Sequence, residues 1–401
     1  MDIVQDHPNM EVTGMLDPQL VARSSEILEL ERLAVEEFRP RGRQYDLNCE
    51  MPVENIRELF DRGWLQPVLP KAWGGKGSNL DTDDPATYLQ VIRALARGCS
   101  STAHCLQVHN HALWFLNAVA TEHQRRKYIM PVFEAPRLTA FVASEAKRKQ
   151  QYMLSTQARR VAGGWVITGE KNYATNAPFM GFVLVAAAIE NEPDYTKNHL
   201  VVIIPEGADG MVLDNDWYRP NGMRAASSPI VQLNDVFVPD EDVVGDPGIY
   251  IRGRWQGKMH LGFTANYLGT TEGMYRWYLD YVRAKGRAKD PIIQLRTGEM
   301  KIAMDAAAAL FHRAIMTWKT GSVIEAELIS QAAKSTCASM AFEVSHKIVH
   351  ASGSTAMFDE FPLSRYIRDL ETHVLHAFHD KSAQTIGKAE LGEAFDSTTQ
   401  V

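Results

Sequence analysis

The sequence predicts an α+β chain with helices on both sides of a β-domain: a helical domain over residues 1–137, a central β-domain over 138–248 and a helical bundle over 249–401. Three observations predict it. Before residue 139 the apolar residues recur mostly at helical spacing. From 139 to 248 they fall into short β-rich runs separated by turn residues. Beyond about residue 255 helical spacing returns in long Ala-rich stretches. At 401 residues the chain is long for one hydrophobic core and can bury a large cofactor site.

The elements follow in order. In 52–64, Ile56, Leu59 and Phe60 sit at i, i+3, i+4, and Gly63 stops the helix. The stretch LPKAWGGKG at 69–77 is loop. Residues 87–97 are helical, and 100–120, apolar and nearly uncharged, form a buried helix. From 164, Trp165 and Ile167 alternate on a strand, with a turn expected at Thr168 and Gly169. Runs 182–189 and 200–205 are short strands, and IVQLNDVFVP at 230–239 alternates. Long amphipathic helices cover 300–317 and 323–350, with breaks at Gly286, Gly321 and Gly353.

Hydrophobic residues are 45% and charged residues 23%, an ordinary globular mix. A net charge of −7 argues against nucleic acid or an anionic membrane as partner. The start MDIVQDHPNMEV has no basic stretch followed by an apolar one, so no secretory signal is read. The longest apolar run, 182–189, is far short of the roughly 20 residues of a membrane helix. Cys49, Cys99, Cys105 and Cys337 show no CxxC or metal spacing and are expected to be reduced thiols of a cytoplasmic protein without a metal site.

Three segments carry a resemblance. GWVITGEKNYATNA at 164–177 has a glycine, a lysine and a Thr-Asn turn. WYRPNGMR at 217–224 is followed by Ser227, Ser228 and NDVFVPDEDVVG. SRYIRDLETHVLH occupies 364–376. In this order they resemble signatures of the acyl-CoA dehydrogenases and their monooxygenase relatives, and they span most of the chain. The resemblance implies an N-terminal helical domain, a central β-domain and a C-terminal four-helix bundle, with a flavin ring between the last two. It places the Ser144 hydroxyl of FVASE on the flavin, and Ala174, Thr175 and Asn176 in the turn along the ring. Backbone amides and short hydroxyls suit the polar edge of a flavin. Taken alone, Ser144 and Thr175 equally suit turn capping. No GxGxxG follows a first strand, so a Rossmann domain is not supported.

A dehydrogenase of this family removes a proton beside a thioester carbonyl with a glutamate just after the Arg-Asp helix. Aligning Arg368 and Asp369 with that pair puts Ala377 at the base position. A minority of members place the base at the start of the first bundle helix, which here reads Gln256, Gly257, Lys258, again without a carboxylate. The Arg-Asp helix offers His373, His376 and His379 instead. His373 and His376, three apart, share a helix face. They read as a metal site, as ordinary histidines, or as hydrogen-bond donors beside a flavin. The last reading gains from a resemblance to the flavin monooxygenases of this fold, dibenzothiophene monooxygenase and the oxygenase component of 4-hydroxyphenylacetate hydroxylase among them, which carry a T-H-x-L-H pattern or a histidine there. Residues 372–376 read THVLH. The same enzymes place a histidine on the buried N-terminal helix, where VHNHALWF at 108–115 offers His109 as the best match, ahead of His111 and His104.

The resemblance implies a two-component monooxygenase. Reduced FMN from a separate flavin reductase and O2 would oxygenate a small organic substrate at sulfur, nitrogen or aromatic carbon, through a flavin hydroperoxide. His373, His376 and Thr175 would donate hydrogen bonds to the new oxygen, and His109 would orient or deprotonate the substrate or assist hydroperoxide formation. FAD is the alternative cofactor. In the dehydrogenases its adenine half relies on an Arg near Phe-Gly, then a Gln. RAKGRAKDPIIQ at 283–294 keeps Gln294, with Arg283 and Arg287 nearby, but lacks Phe-Gly. ASGS at 351–354, with Ser352 and Gly353, resembles the glycine-rich loop that meets a partner subunit's flavin, which implies a homotetramer. Two rivals stand: an FAD-dependent acyl-CoA dehydrogenase or oxidase with a displaced base, its CoA phosphates met by Arg252, Arg254 and Lys258, and a flavin-free binding protein on an inherited fold. Trp114, Phe115, Phe179 and Phe263 are either an aromatic pocket or plain core.

Overall fold

The structure is a computed structural model that describes residues 24–146, 153–376 and 379–398. Helix α1 (Ser25–Leu33) starts at Ser24, whose hydroxyl accepts from the Ile27 N–H, and a π-helical turn carries it into α2 (Arg39–Asn48). Helices α3 (Val53–Asp61), α4 (Thr87–Ala96) and α5 (Ser100–Val119) follow. In α3, Ile56 and Leu59 are buried as their spacing predicts, and Gly63 turns the chain at φ 69°. The 69–77 loop contains one short turn, Lys71–Trp73.

The β-domain holds β1 (Leu138–Val142), β2 (Gln157–Val161), β3 (Gly164–Lys171), β4 (Met180–Ile189), β5 (His199–Pro205), β6 (Met211–Asp214) and β7 (Ile230–Pro239). They form one mixed sheet in the order β1-β4-β2-β3-β7-β6, with β5 also on β4. β1 and β2 run parallel to β4, and the other pairs are antiparallel. Every residue of 182–188 in β4 is buried, so this strand reads as a continuous apolar run instead of alternating. The expected turn at Thr168 and Gly169 is corrected. β3 continues through it, and the register with β7 shifts between Ile167 and Gly169. The extra residue lies on β7, where Asn234 and Asp235 (φ 53°) face Thr168 alone, while Gly169 pairs with Leu233 at φ +154°, where a Cβ would lie 2.6 Å from the Thr156 hydroxyl.

Helices α6 (His260–Ala284), α7 (Pro291–Thr320), α8 (Val323–Ser352) and α9 (Leu363–Val374) make the bundle, and α10 (His379–Glu390) packs on α8. Caps at Asp290 and at Ser322 with Glu325 set the starts of α7 and α8, and the breaks fall at Gly286, Gly321 and Gly353. The bundle is locked to the N-terminal helices where α6 crosses α4. A Cβ on Gly269 would lie 2.2 Å from the Arg93 carbonyl oxygen, and one on Gly273 would lie 2.0 Å from that of Arg97. Between them Glu272 binds both guanidinium groups, and Arg97 also pairs with Glu31. All four cysteines are free, with Cys99, Cys105 and Cys337 buried. Among the described residues no helix is long and apolar enough to cross a membrane.

Candidate active site

The loops between strands build one wall. Asn172 donates its N–H to the Ser144 carbonyl at 3.1 Å, which brings half-buried Ser144 beside the turn after β3. In that turn Tyr173 and Asn176 have φ of 57° and 76°. The buried Ala174 N–H donates to the Pro229 carbonyl at 3.0 Å, and the Thr175 and Ser228 hydroxyls meet at 2.8 Å. The two signature loops therefore form one lip. Asn176 ties it down, its amide nitrogen donating to the carbonyls of Cys105 (2.9 Å) on α5 and Thr139 (3.1 Å) on β1. Asp369 ties the second loop to α9 by accepting the Met223 N–H at 2.6 Å. Burial pushes this carboxyl up to about 6.

Helix α5 sorts its three histidines by face. At about 100° per residue His104 and His111 lie roughly 20° apart, and His109 roughly 140° from His104. His109 faces β1, where its Nδ1 accepts the Thr139 N–H at 3.0 Å. An imidazole accepting at Nδ1 carries its proton on Nε2, and this Nε2 is buried without a partner. Burial holds His109 near 3, so it is neutral. His111 contacts the Tyr250 hydroxyl at 3.2 Å.

His104 reaches the end of α9, where its Nδ1 lies 3.2 Å from Nε2 of His373. Both are buried and held neutral: burial lowers His104 to about 4 and His373 well below 6.5, helped there by the charges of His104, His376 and Lys334. Phe263 on α6 is the hub of this corner. Its ring stacks on exposed His376 at 4.3 Å and 25°, lies 5.5 Å from the His373 ring and 6.0 Å from that of His104, and has the Lys334 Nζ 4.6 Å from its centroid. One turn earlier on α6, His260 is 1% exposed and neither ring nitrogen has a partner.

The structure thus brings together Ser144, Ala174, Thr175 and Asn176 on one wall, and His373 and His376 on another, with α5 between them. It joins His104, one of the two histidines placed behind His109 by the sequence, to His373, and leaves His109 on another face of α5. The residues missed by sequence reasoning are His260 and Lys334. The signal for Lys334 was its place in the series Ser330, Lys334, Cys337, Ala341, all buried on one face of α8. Gln294 and the 351–354 loop sit elsewhere. Gln294 is exposed and donates to the Ala288 carbonyl, while Arg287 reaches the Ala351 carbonyl at 2.9 Å, so both lie at the same end of the bundle. Ser352 is buried with an unpaired hydroxyl there, beside Gly353 at φ 80°.

Of the four aromatic residues, only Phe263 touches the histidines of this corner. Trp114 and Phe115 pack with Tyr250 and Trp255, and Phe179 lies under Arg137. Arg254 pairs with buried Glu327 and with Ser397, Lys258 binds Asp81 at 2.7 Å, and Arg252 reaches the Pro247 carbonyl at 2.6 Å. The cluster with metal-ligand proximity among the described residues is His123, Glu241 and Asp242, where Lys127 already lies 3.0 Å from Asp242. Ala377 lies outside the described residues.

The residues present fit a flavin. Around the lip, Thr139 Oγ1, Asn172 Oδ1, Asn176 Oδ1 and His109 Nε2 are buried polar atoms without partners. Such a set of unpaired donors and acceptors on one wall suits a flat ligand with a polar edge, and the hydroxyls of Ser144 and Thr175 lie on the same wall.

Comparison with known proteins accords with this arrangement. Residues 28–135, 140–236 and 261–381 match, in turn, the N-terminal, middle and C-terminal domains of acyl-CoA dehydrogenase. The chain is 24% identical over 344 residues to the mitochondrial short-chain specific acyl-CoA dehydrogenase of Rattus norvegicus, covering 84% of this chain and 82% of that one. It is 25% identical over 364 residues to the cyclohex-1-ene-1-carbonyl-CoA dehydrogenase of Syntrophus aciditrophicus, covering 88% and 85%. In three dimensions it resembles the dibenzothiophene monooxygenase TdsC from Paenibacillus sp. A11-2 with FMN and indole (TM-score 0.83, 19% identity, 93% of this chain and 98% of that one). It also resembles the butyryl-CoA dehydrogenase of Megasphaera elsdenii (TM-score 0.81, 19% identity, 92% and 99%). The three matched domains, in family order and joined as the fold requires, make this chain an enzyme of the acyl-CoA dehydrogenase superfamily, a family of flavin oxidoreductases.

Proposed function

We propose that the protein is a flavin-dependent monooxygenase that takes reduced FMN from a separate reductase and oxygenates a small organic substrate at sulfur, nitrogen or aromatic carbon. The observation that carries this reading is the His104–His373 contact, with His376 beside it, at the end of the Arg-Asp helix. Two buried carboxylates close to the base positions are committed: Asp369, on the Arg-Asp helix, accepts the Met223 N–H, and Glu327, packed against Gly257, is held by Arg254 and Ser397. Arg252, Arg254 and Lys258, the candidates for CoA phosphates, are likewise spent within the protein.

When bound, reduced flavin supplies the two electrons that let O2 give one atom to the substrate and one to water. The residues of this chain have three tasks. Ser144 and the Thr175–Ser228 pair hold the polar edge of the ring. Neutral His373, with His376 beside it, donates hydrogen bonds where negative charge develops on oxygen, and Phe263 excludes water behind them. Neutral His109 keeps a proton on Nε2 for a ligand acceptor. Assembly as a homotetramer is part of the proposal. Exposed Ile292, Leu295 and Ile302 are spaced three and seven apart on α7 and offer an apolar stripe to a second copy. The free thiols suit a cytoplasmic setting.

A second reading, an FAD-dependent acyl-CoA dehydrogenase or oxidase, is favoured by relatives similar in sequence, among them acyl-CoA dehydrogenases. One experiment separates the two. The protein is supplied aerobically with reduced FMN and a panel of sulfides, amines and phenols, and product and hydrogen peroxide are counted per flavin oxidised. The monooxygenase reading expects oxygenated product, and a rise in peroxide at its expense in His376→Ala. Anaerobic bleaching of bound FAD by acyl-CoA thioesters, with no oxygenated product, would replace it with the dehydrogenase reading.

A further inference from the structure

Lys334 is among the largest fully buried side chains of the protein, at 1% exposure, and among the described residues it has no carboxylate or hydrogen-bond acceptor. A lysine so placed is costly. An ammonium buried without an anion gives up its hydration with no charge to replace it, and proteins seldom keep one unless it is used. Its Nζ lies over Phe263, 4.6 Å from the ring centre, a geometry that favours the charged form.

The same corner concentrates other unused donors. His260 is 1% exposed with both ring nitrogens unpaired, and the Nδ1 of buried His373 is unpaired as well. Three elements, α6, α8 and α9, therefore each bring a buried nitrogen to this corner, with His260 and His373 both feeling the charge of Lys334, and no ion pair to Lys334 occurs among the described residues. The titratable groups facing Lys334 are His260 on α6, His373 and His376 at the end of α9, His379 on α10 and, through His373, His104 on α5. All are potential cations or neutral donors. Glu327, two turns before Lys334 on α8, is already bound by Arg254 and Ser397. The polarity of the corner is thus the reverse of a proton-abstracting carboxylate site.

We propose that Lys334, with His260 and His373, is an anion-recognition subsite of the active site, and that the substrate carries a carboxylate beside its apolar body. Phe263 packs against that body while the Lys334 ammonium and the unpaired imidazole N–H groups hold the carboxylate oxygens. The inference rests on the monooxygenase reading for the identity of the site, but it concerns binding, so it is tested without turnover. Burial brings Lys334 down to about 7, so its charge is lost within an accessible pH range.

The experiment is calorimetric titration of the full-length protein with 2-naphthoate and with 2-naphthamide, which share shape and differ in charge. At pH 6 the acid is expected to bind at least ~10-fold tighter than the amide. The preference should shrink by at least ~5-fold at pH 8.5, as the lysine loses its proton. In Lys334→Met it should vanish while the amide binds as before. Equal affinity for the two probes at pH 6, or a preference independent of pH, overturns the proposal, and both tests use the unaltered protein should the variant fail to fold. A protein that discriminates acid from amide yet never couples flavin oxidation to product keeps this subsite and loses the monooxygenase reading. Coupling without discrimination does the reverse.

Discussion

Nδ1 of His104 and Nε2 of His373 lie 3.2 Å apart, which joins the buried N-terminal helix to the last helix of the bundle through two imidazoles. One proton is shared across this contact, so each ring fixes the tautomer of the other. With Nε2 in contact with His104, the buried Nδ1 of His373 is left without a partner.

Replacing His373 with alanine removes a donor and frees His104. Product formation is expected to fall by about 10²-fold, with peroxide release taking its place and flavin bound per chain unchanged. Loss of flavin binding together with activity would make the histidine a structural support instead. The readout is product and peroxide counted per flavin oxidised, beside an absorbance measurement of bound FMN.

Stability should fall on the acid side. His104 and His199 are brought down to about 4, and His109 and His111 to about 3, all by burial first. Their folded values lie below the unfolded value of 6.5, so the unfolded chain binds more protons between the two. The stability they contribute is fully present above about pH 6.5 and is lost as the pH falls toward 4. A melting temperature that drops between pH 7 and pH 5, less steeply in His111→Gln, is the expected result. A flat profile would mean that these rings are solvated.

Lys334→Met should stabilise the unliganded protein. The amine is brought from 10.5 to about 7 by burial, so its contribution is present above pH 10.5 and is lost as the pH falls toward 7. At pH 7 the buried lysine therefore costs stability, and methionine removes that cost without adding volume. A gain on the order of 2 kcal/mol in denaturant unfolding at pH 7 is expected. A loss would reveal a partner for the amine.

Asn176 holds the flavin lip to α5 and β1 from a left-handed backbone at φ 76°. Asn176→Ala should cost about 1–3 kcal/mol for the two lost bonds, plus about 1 kcal/mol for a Cβ without the local bonding that asparagine uses there. Asn176→Gly should recover only the second part. Equal losses in the two variants would show that the backbone conformation carries no strain.

Thr175→Val keeps the shape of the lip and removes its hydroxyl from Ser228. FMN affinity should weaken by about 5- to 10-fold, measured by quenching of flavin fluorescence. Unchanged affinity would leave the Thr175–Ser228 contact as a loop clasp only.

The helices and the breaks at Gly286, Gly321 and Gly353 were legible because helical spacing and glycine punctuation are local signals. β4 was legible as an apolar run, although its burial on both faces hides alternation. β2 was not, because QARRV exposes Arg159 and Arg160 and reads as polar loop. Gly169 looked like a turn because glycine marks turns and close approaches alike, and only the neighbouring chain at Thr156 separates them. At the site, the motifs singled out Thr175, which the structure sets in the lip after β3, and His373 and His376, which it sets against Phe263. The choice among His104, His109 and His111 depended on which face of α5 meets the bundle, a fact of packing that one sequence does not carry. Lys334 escaped because a charge in an Ala-rich helix is normally solvated.

The crossing of α6 on α4 has a mechanical meaning. With Gly269 and Gly273 pressed on the Arg93 and Arg97 carbonyls and Glu272 clamped between the guanidinium groups, sliding the helices past each other would drive atoms into backbone. The helical layers are therefore a rigid anvil, and the play needed to admit a flat ring falls to the β-domain loops that close on it. Amide protons along the crossing should exchange slowest of all, and those of the 172–176 and 222–229 loops should slow the most when flavin is added.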